Sequence, residues 1–372
     1  MPEQLRADLR AAHSRILRFA QAQLGALTMD IEVELEPGVT AGSRRLPVSA
    51  AGCYVPGGRY AHLASALMTV TTAKAAGVPY VVMCTPPSSA RATGAATDER
   101  NLEALVPSEL RFAAHLAGAD VLLVCGGVQG IAAMVEGIGI EHKVDVVVGP
   151  GNRFVAEAKR QLFGRIGIDM IAGPTETLIV ADGTADAHLV SSDLVSQAEH
   201  GPDSPCWLVT TSEALAKDVM ARMQGHMDRL PEVNKAAAEA AWADYGEVVL
   251  AADRDEAAAI CDEYAAEHLE VHCADLAWWK TTLRNYGSLF LGEETTVTYG
   301  DKAAGPNHVL PTMGAARYTG GLNVDKFLKT VTWQQMTREA TRTVGAESAR
   351  ISRAEGMVGH AHAAEDRLAK FC

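Results

Sequence analysis

Short apolar runs rich in valine and isoleucine recur along the first half of the chain, at Tyr80–Cys84, Asp120–Cys125 and Val144–Val148. Between them apolar positions return at helical spacing near 60–76, 108–117, 128–137 and 151–164. Runs of that length and composition predict strands buried on both faces, and their alternation with helices is the rhythm of β-α units around a parallel sheet. A second set follows, with strands expected at Thr177–Ala181, Cys206–Thr210, Glu247–Leu250 and Ser288–Leu291 and helices near 185–199, 212–228 and 253–265. The pattern therefore predicts an α/β protein of two doubly wound, Rossmann-like domains with a cleft between them. Residues 1–26 read as one amphipathic helix, and beyond about residue 323 the strand rhythm gives way to a helical C-terminal tail. Such terminal helices either pack on a second subunit or cover their own domain, and the pattern leaves both open.

Composition narrows the partners. At 372 residues, 48% of them hydrophobic, the chain can bury a large core divided among two or three domains. A formal charge of −13 argues against nucleic acid or anionic membrane, both of which reward a basic face. No signal-peptide apolar region follows the charged N-terminus and no apolar run is long enough to span a bilayer, so a cytoplasmic location is expected. The seven cysteines include no C-x-x-C pair and read as reduced core thiols.

Candidate chemistry is concentrated in a few polar islands. Ser196-Gln-Ala-Glu-His200-Gly-Pro ends a helical pattern with Gln197 and His200 one turn apart, a spacing that aims both side chains at one ion near an open helix end. Glu267 and His268 fall at a helix-to-strand corner, where an acid and an imidazole can face one cavity as water activator and base. Tyr299–Pro311 reads as a long glycine-broken loop carrying Asp301, Lys302, Asn307 and His308. The C-terminal stretch holds Glu355, His360 and His362. A carboxylate, an amide and two imidazoles from these segments can complete a zinc site that keeps positions open to substrate. Four glycine turns, beginning at Gly52, Gly126, Gly149 and Gly173, flank strands and can bring backbone amides close to phosphate. None completes G-x-G-x-x-G, because Cys125 stands where its first glycine would fall.

Over nearly its whole length the sequence resembles the histidinol dehydrogenase superfamily. The likeness rests on Gly52-Cys-Tyr-Val-Pro-Gly-Gly, Val148-Gly-Pro-Gly-Asn-Arg-Phe-Val-Ala-Glu-Ala-Lys-Arg-Gln, Ser196-Gln-Ala-Glu-His-Gly-Pro-Asp-Ser, Ala266-Glu-His-Leu and Asn307-His-Val-Leu-Pro-Thr. The resemblance implies a homodimeric, zinc-dependent, NAD-linked enzyme that oxidises a primary alcohol to a carboxylate through an aldehyde, using two NAD in turn. It implies Gln197, His200 and Asp301 as zinc ligands, with His360 as the fourth, supplied by the other subunit. Glu267 and His268 match the catalytic pair, Tyr54, Gln129 and Asn152 the NAD contacts, and Thr175, His308 and Glu355 substrate-contact positions. The expected boundaries are a zinc and substrate domain at 1–53 and 177–322, an NAD-binding domain at 54–176, and a dimerisation segment at 323–372.

Departures from the family pattern bear on substrate. Tyr60-Ala-His62-Leu-Ala-Ser65, Gly173-Pro-Thr175-Glu176 and Gly300-Asp301-Lys302 stand where histidinol enzymes carry Tyr-Pro-Ser-Ser, Gly-Pro-Ser-Glu and Gly-Asp-Tyr. Lys302 places an ammonium beside an expected zinc ligand, which would repel the cationic amine of histidinol and favour an anionic tail. The wording of Phe154–Arg165, Tyr299–Lys302 and Ala316–Leu322 is similar to the sulfopropanediol 3-dehydrogenase branch, which oxidises 2,3-dihydroxypropane-1-sulfonate to sulfolactate. That substrate is the expectation, with Lys302 holding the sulfonate and Arg59, His62 or Arg317 assisting. Histidinol is the alternative, and a non-catalytic metabolite-binding relative is a second. The chain also begins late against the family pattern.

Overall fold

The computed structural model describes residues 1–57, 61–88 and 105–372. They divide into two compact units, one of residues 1–24 and 48–327, the other of residues 25–47 and 328–372.

The first unit holds two five-stranded sheets, each wholly parallel. In one, β3 (Ala50–Tyr54) pairs with β4 (Tyr80–Thr85) and with β6 (Val146–Val148), giving the order β5-β4-β3-β6-β7, where β5 is Val121–Val124 and β7 is Gly167–Ile168. The other repeats this winding as β10-β9-β8-β11-β12, built from β8 (Thr177–Ala181), β9 (Cys206–Thr210), β10 (Gly246–Leu250), β11 (His268–His272) and β12 (Ser288–Leu291). The two doubly wound sheets expected from the apolar runs are present.

Both faces of the second sheet are covered, which is why its strands read as unbroken apolar runs. Ile179 and Leu208 pack on one face against Val190 and Leu194 of helix Ala187–Ala198 and Val219 and Met223 of helix Glu213–Met227. Leu178, Val180, Leu269 and Val271 pack on the other, with Trp279. Strand β11 alternates His268-Leu-Glu270-Val-His272. Its apolar residues join that second core, so its three polar residues form a buried stripe on the opposite face.

The second unit contains an antiparallel sheet in the order β1-β2-β13, from Asp30–Glu36, Val39–Pro47 and Leu328–Met336, followed by helices Arg338–Ala354 and Val358–Phe371. Here the sequence expectations need correction. The tail from residue 323 is not wholly helical, because Leu328–Met336 pairs with Val39–Pro47. Residues 25–47, expected in the zinc and substrate domain, belong to this second unit. The expected boundary at residue 53 also cuts strand β3, which hydrogen bonds into the first sheet. All seven cysteines are free, and five are buried, but Cys372 is exposed and so is no core thiol. Among the described residues no helix is long and apolar enough to cross a membrane.

Candidate active site

The expected catalytic pair sits at the amino-terminal edge of the second sheet. Helix Arg254–Tyr264 ends at Ala265, whose left-handed backbone (φ 50°) turns the chain sharply into β11. Glu267 and His268 follow at once, both buried. Glu267 Oε2 accepts the backbone N–H of Glu176 at 3.1 Å. Burial pushes the Glu267 carboxyl up to about 7, against the pull of His268. His268 Nδ1 lies 3.3 Å from the carbonyl oxygen of Glu176 and 3.6 Å from Glu267 Oε2. Both neighbours accept, so Nδ1 carries a hydrogen, and Nε2 is the nitrogen that gains or releases the second proton. That Nε2 is buried with no hydrogen-bond partner and lies 3.7 Å from Asp301 Oδ1.

Asp301 lies on a short helix, Val297–Lys302, and not on a continuous loop as the glycines suggested. Burial opposes its ionisation, but His268 more than offsets this and holds the carboxyl down at about 2. Burial also lowers His268, yet the charges of Glu267 and Asp301 together hold it at about 9. Gln197 occupies the last turn of helix Ala187–Ala198, with His200 just beyond it; the His200 N–H donates to the Gln197 carbonyl at 3.1 Å. Gln197 Oε1 is buried and unpartnered. The His200 imidazole is pulled down chiefly by burial, which the charge of Asp301 opposes and those of His268 and Lys302 reinforce. Lys302 is 64% exposed at its side chain, with Nζ 3.9 Å from Asp301 Oδ2.

The segment that follows closes the site. His308 Nδ1 lies 2.9 Å from the Asp301 carbonyl oxygen and Nε2 lies 2.9 Å from Ser65 Oγ, so both ring nitrogens of this expected substrate residue are already engaged. Asn307 donates to the Met68 carbonyl at 3.0 Å. Thr312 Oγ1 accepts from Gly173 N at 2.6 Å, and Glu176 Oε1 accepts from Met313 N at 3.0 Å. Thr175 is partly buried beside this crossing. Of the three further cations considered for an anionic tail, His62 is neutral near pH 7, its imidazole lowered to about 4 by burial and then by His308. The Arg317 guanidinium is directed at the carbonyls of Glu263 and Gly314. Arg59 lies outside the described residues.

The expected cofactor contacts gather at the carboxyl edge of the first sheet, where strand order reverses between β3 and β6 and ligands of open α/β sheets bind. Tyr54 ends β3, and its hydroxyl accepts the Gly127 N–H at 3.0 Å. Gln129 is exposed in the first turn of helix Gly127–Glu136. Asn152 caps helix Arg153–Leu162, its Oδ1 accepting from Phe154 N and Val155 N at 3.0 and 3.1 Å. Gly149 approaches Tyr54 so closely that a Cβ would lie 2.1 Å from the Tyr54 oxygen, and its φ of +111° excludes other residues independently. Glu355 and His360 belong to the second unit, where both are exposed.

Sequence reasoning missed one buried cluster. Asp193, Glu270 and His272 bring ligand-type atoms within 4.8 Å of one another. The signal was available in the strict alternation of His268-Leu-Glu-Val-His272, polar at every second position in a strand otherwise covered on both faces.

A profile of the histidinol dehydrogenase family matches residues 1–368, and the chain belongs to that family. Sulfopropanediol 3-dehydrogenase of Ruegeria pomeroyi is 57% identical over 371 residues, covering 100% of this chain and 82% of that one. The histidinol dehydrogenase of Thermus thermophilus is 40% identical, covering 99% and 83%. The crystal structure of histidinol dehydrogenase from Elizabethkingia anophelis superposes with a TM-score of 0.87 at 32% identity, covering 100% of this chain and 81% of that chain. The protein is therefore an oxidoreductase of this family.

Proposed function

We propose that the chain is a zinc-dependent, NAD-linked dehydrogenase that oxidises a primary alcohol to a carboxylate through an aldehyde, and that its substrate is 2,3-dihydroxypropane-1-sulfonate, giving sulfolactate. The observation that carries the chemistry is the approach of His268 Nε2, buried and without a hydrogen-bond partner, to 3.7 Å from Asp301 Oδ1, together with the buried, unpartnered Gln197 Oε1 one turn from His200 at a helix end. An amide oxygen, an imidazole and a carboxylate suit zinc, and the buried Gln197 Oε1, which has no partner within the chain, is free to accept such an ion. Gln197, His200 and Asp301 would hold the ion, with His360 supplied by a second copy of the chain in a homodimer. When bound, zinc would supply Lewis acidity toward the substrate oxygen and NAD the capacity to accept hydride.

The chain's own residues divide the proton work. A cation held by Asp301 would offset the charge that helps keep His268 near 9, and the neutral ring, its Nδ1–H directed at the Glu176 carbonyl, would then take the hydroxyl proton at Nε2. Glu267, near 7, changes charge at neutral pH and so can activate the water that converts aldehyde to acid. Tyr54, Gln129 and the capped helix start at Asn152 would receive NAD.

Lys302 and the 57% identity to a sulfopropanediol 3-dehydrogenase support the sulfonate. The 40% identity to a histidinol dehydrogenase supports histidinol as the second reading. Steady-state NADH formation with each substrate decides between them. Turnover of histidinol with none of the sulfonate would overturn the substrate assignment, and bound zinc without turnover of any small alcohol would favour a binding-only relative.

A further inference from the structure

Three elements deliver Gln197, Asp301 and the base His268, and all three meet one turn or one strand step away in a second, buried polar node. Helix Ala187–Ala198 carries Asp193 four residues before Gln197, on the same face. Strand β11 carries Glu270 and His272 on the face of His268. The short helix that ends in Asp301 and Lys302 begins at Thr296, its cap.

The contacts at this node run between the elements. Thr296 Oγ1 donates to Asp193 Oδ1 at 3.0 Å, joining the first helix to the short one. Val297 N donates to Glu270 Oε1 at 3.2 Å, joining the short helix to the strand. His272 Nε2 lies 3.1 Å from Glu270 Oε2 and 3.8 Å from Asp193 Oδ2, closing the triangle. The Glu270 and His272 side chains have no exposure at all, and Asp193 has 17%. Burial and the neighbouring Glu270 charge push the Asp193 carboxyl up to about 7.

A helix of six residues has too few internal hydrogen bonds to hold itself in place, so its position depends on such outside anchors. We propose that Asp193, Glu270, His272 and Thr296 are positioning residues that lock these three elements together, so that Gln197, His200 and Asp301 are presented to the metal, with His268 beside them, in one fixed arrangement.

The same cluster has the ligand types of a metal site, but its bonding argues for a lock. The contacted carboxylate oxygens already face donors from the chain. His272 Nε2 is likewise turned to Glu270 Oε2, within the chain's own bonding.

The inference rests on the zinc reading, and the experiment separates the two. Zinc affinity of the full-length protein is measured by competition with a chromogenic chelator, alongside zinc per chain by mass spectrometry. Thr296→Val should weaken zinc binding by about 10- to 100-fold, the range for residues that orient ligands, while Thr296→Ser, which keeps the hydroxyl, restores it. Asp193→Asn, which still accepts from Thr296, should fall between them. Zinc affinity equal to wild type in Thr296→Val, with only the melting temperature lowered, would overturn the lock. Two zinc ions per wild-type chain, one of them lost in Thr296→Val, would also overturn it by making the cluster itself a metal site. A wild-type protein that binds no zinc would remove the zinc reading and this inference with it.

Discussion

His308 bridges two elements through its ring, with Nδ1 2.9 Å from the Asp301 carbonyl oxygen and Nε2 2.9 Å from Ser65 Oγ. A carbonyl can only accept, so Nδ1 bears the hydrogen and the Ser65 hydroxyl donates to Nε2. Burial keeps the imidazole below its ordinary value, consistent with a neutral ring used as a strut between helix Leu63–Ala75 and Asp301. Ser65→Ala would leave Nε2 buried and unpaired, at a cost of about 1–3 kcal/mol. Urea unfolding of the chelator-treated protein should register that loss, and an unchanged midpoint would mean the hydroxyl is not engaged.

Lys302 offers a different kind of test because its side chain is largely in water and its loss should leave the fold intact. If it holds the anionic tail, Lys302→Ala raises KM for 2,3-dihydroxypropane-1-sulfonate by about tenfold or more with kcat little changed, the signature of lost uniform binding. Zinc content should stay at the wild-type value. An unchanged KM would remove Lys302 from the recognition of the sulfonate.

What the sequence disclosed follows from where each contact partner lies. Strands such as Thr177–Ala181 and Cys206–Thr210 are buried on both faces, so their apolar runs announce them. Strand Asp30–Glu36 is exposed throughout and Leu328–Met336 nearly so; each gains its identity only by pairing with Val39–Pro47. Ala50–Tyr54 was obscured by Gly52, which reads as a turn but sits in a strand where a Cβ would meet Met134 Sδ at 2.7 Å. At the site, Gln197 with His200 and Glu267 with His268 are legible because each pair is local. The alternation along His268–His272 marks Glu270 and His272 in the sequence, but Asp193 and Thr296 come from distant segments that only the fold brings to them.

Glu176 sets a pH dependence of stability that can be isolated by one substitution. Burial raises its carboxyl from an ordinary 4.5 to about 7 in the folded protein. Between those values the folded chain keeps a proton that the unfolded chain has released. The contribution of Glu176 is therefore complete below 4.5 and is lost as pH rises through 7. Glu176→Gln cannot ionise and can still accept from Met313 N. Comparing unfolding free energies of the two chelator-treated proteins, the difference should shift in favour of glutamine by about 2.5 kcal/mol between pH 5 and pH 8. A pH-independent difference would show that the carboxyl titrates at its ordinary value.

Lys159 and Asp169 form a buried ion pair that grips Gly149 from both sides. Their side chains are 4% and 0% exposed. Asp169 Oδ2 accepts the Gly149 N–H at 2.7 Å, while Lys159 Nζ donates to the Gly149 carbonyl at 3.1 Å. The grip fixes the loop that runs from Gly149 to Asn152 and so the start of helix Arg153–Leu162, where the proposed NAD site lies. Lys159→Met would strand a carboxylate in the interior, a change costing about 3–5 kcal/mol, whereas removing both charges together is far milder. Lys159→Met should therefore lower the unfolding free energy steeply and weaken NADH binding by about tenfold or more in a fluorescence titration. The Lys159→Met/Asp169→Asn double variant should recover much of the stability, since asparagine can still accept from Gly149 N. A double variant no more stable than the single one would mean that the loop depends on the lysine's donation to the Gly149 carbonyl and not on balanced charge.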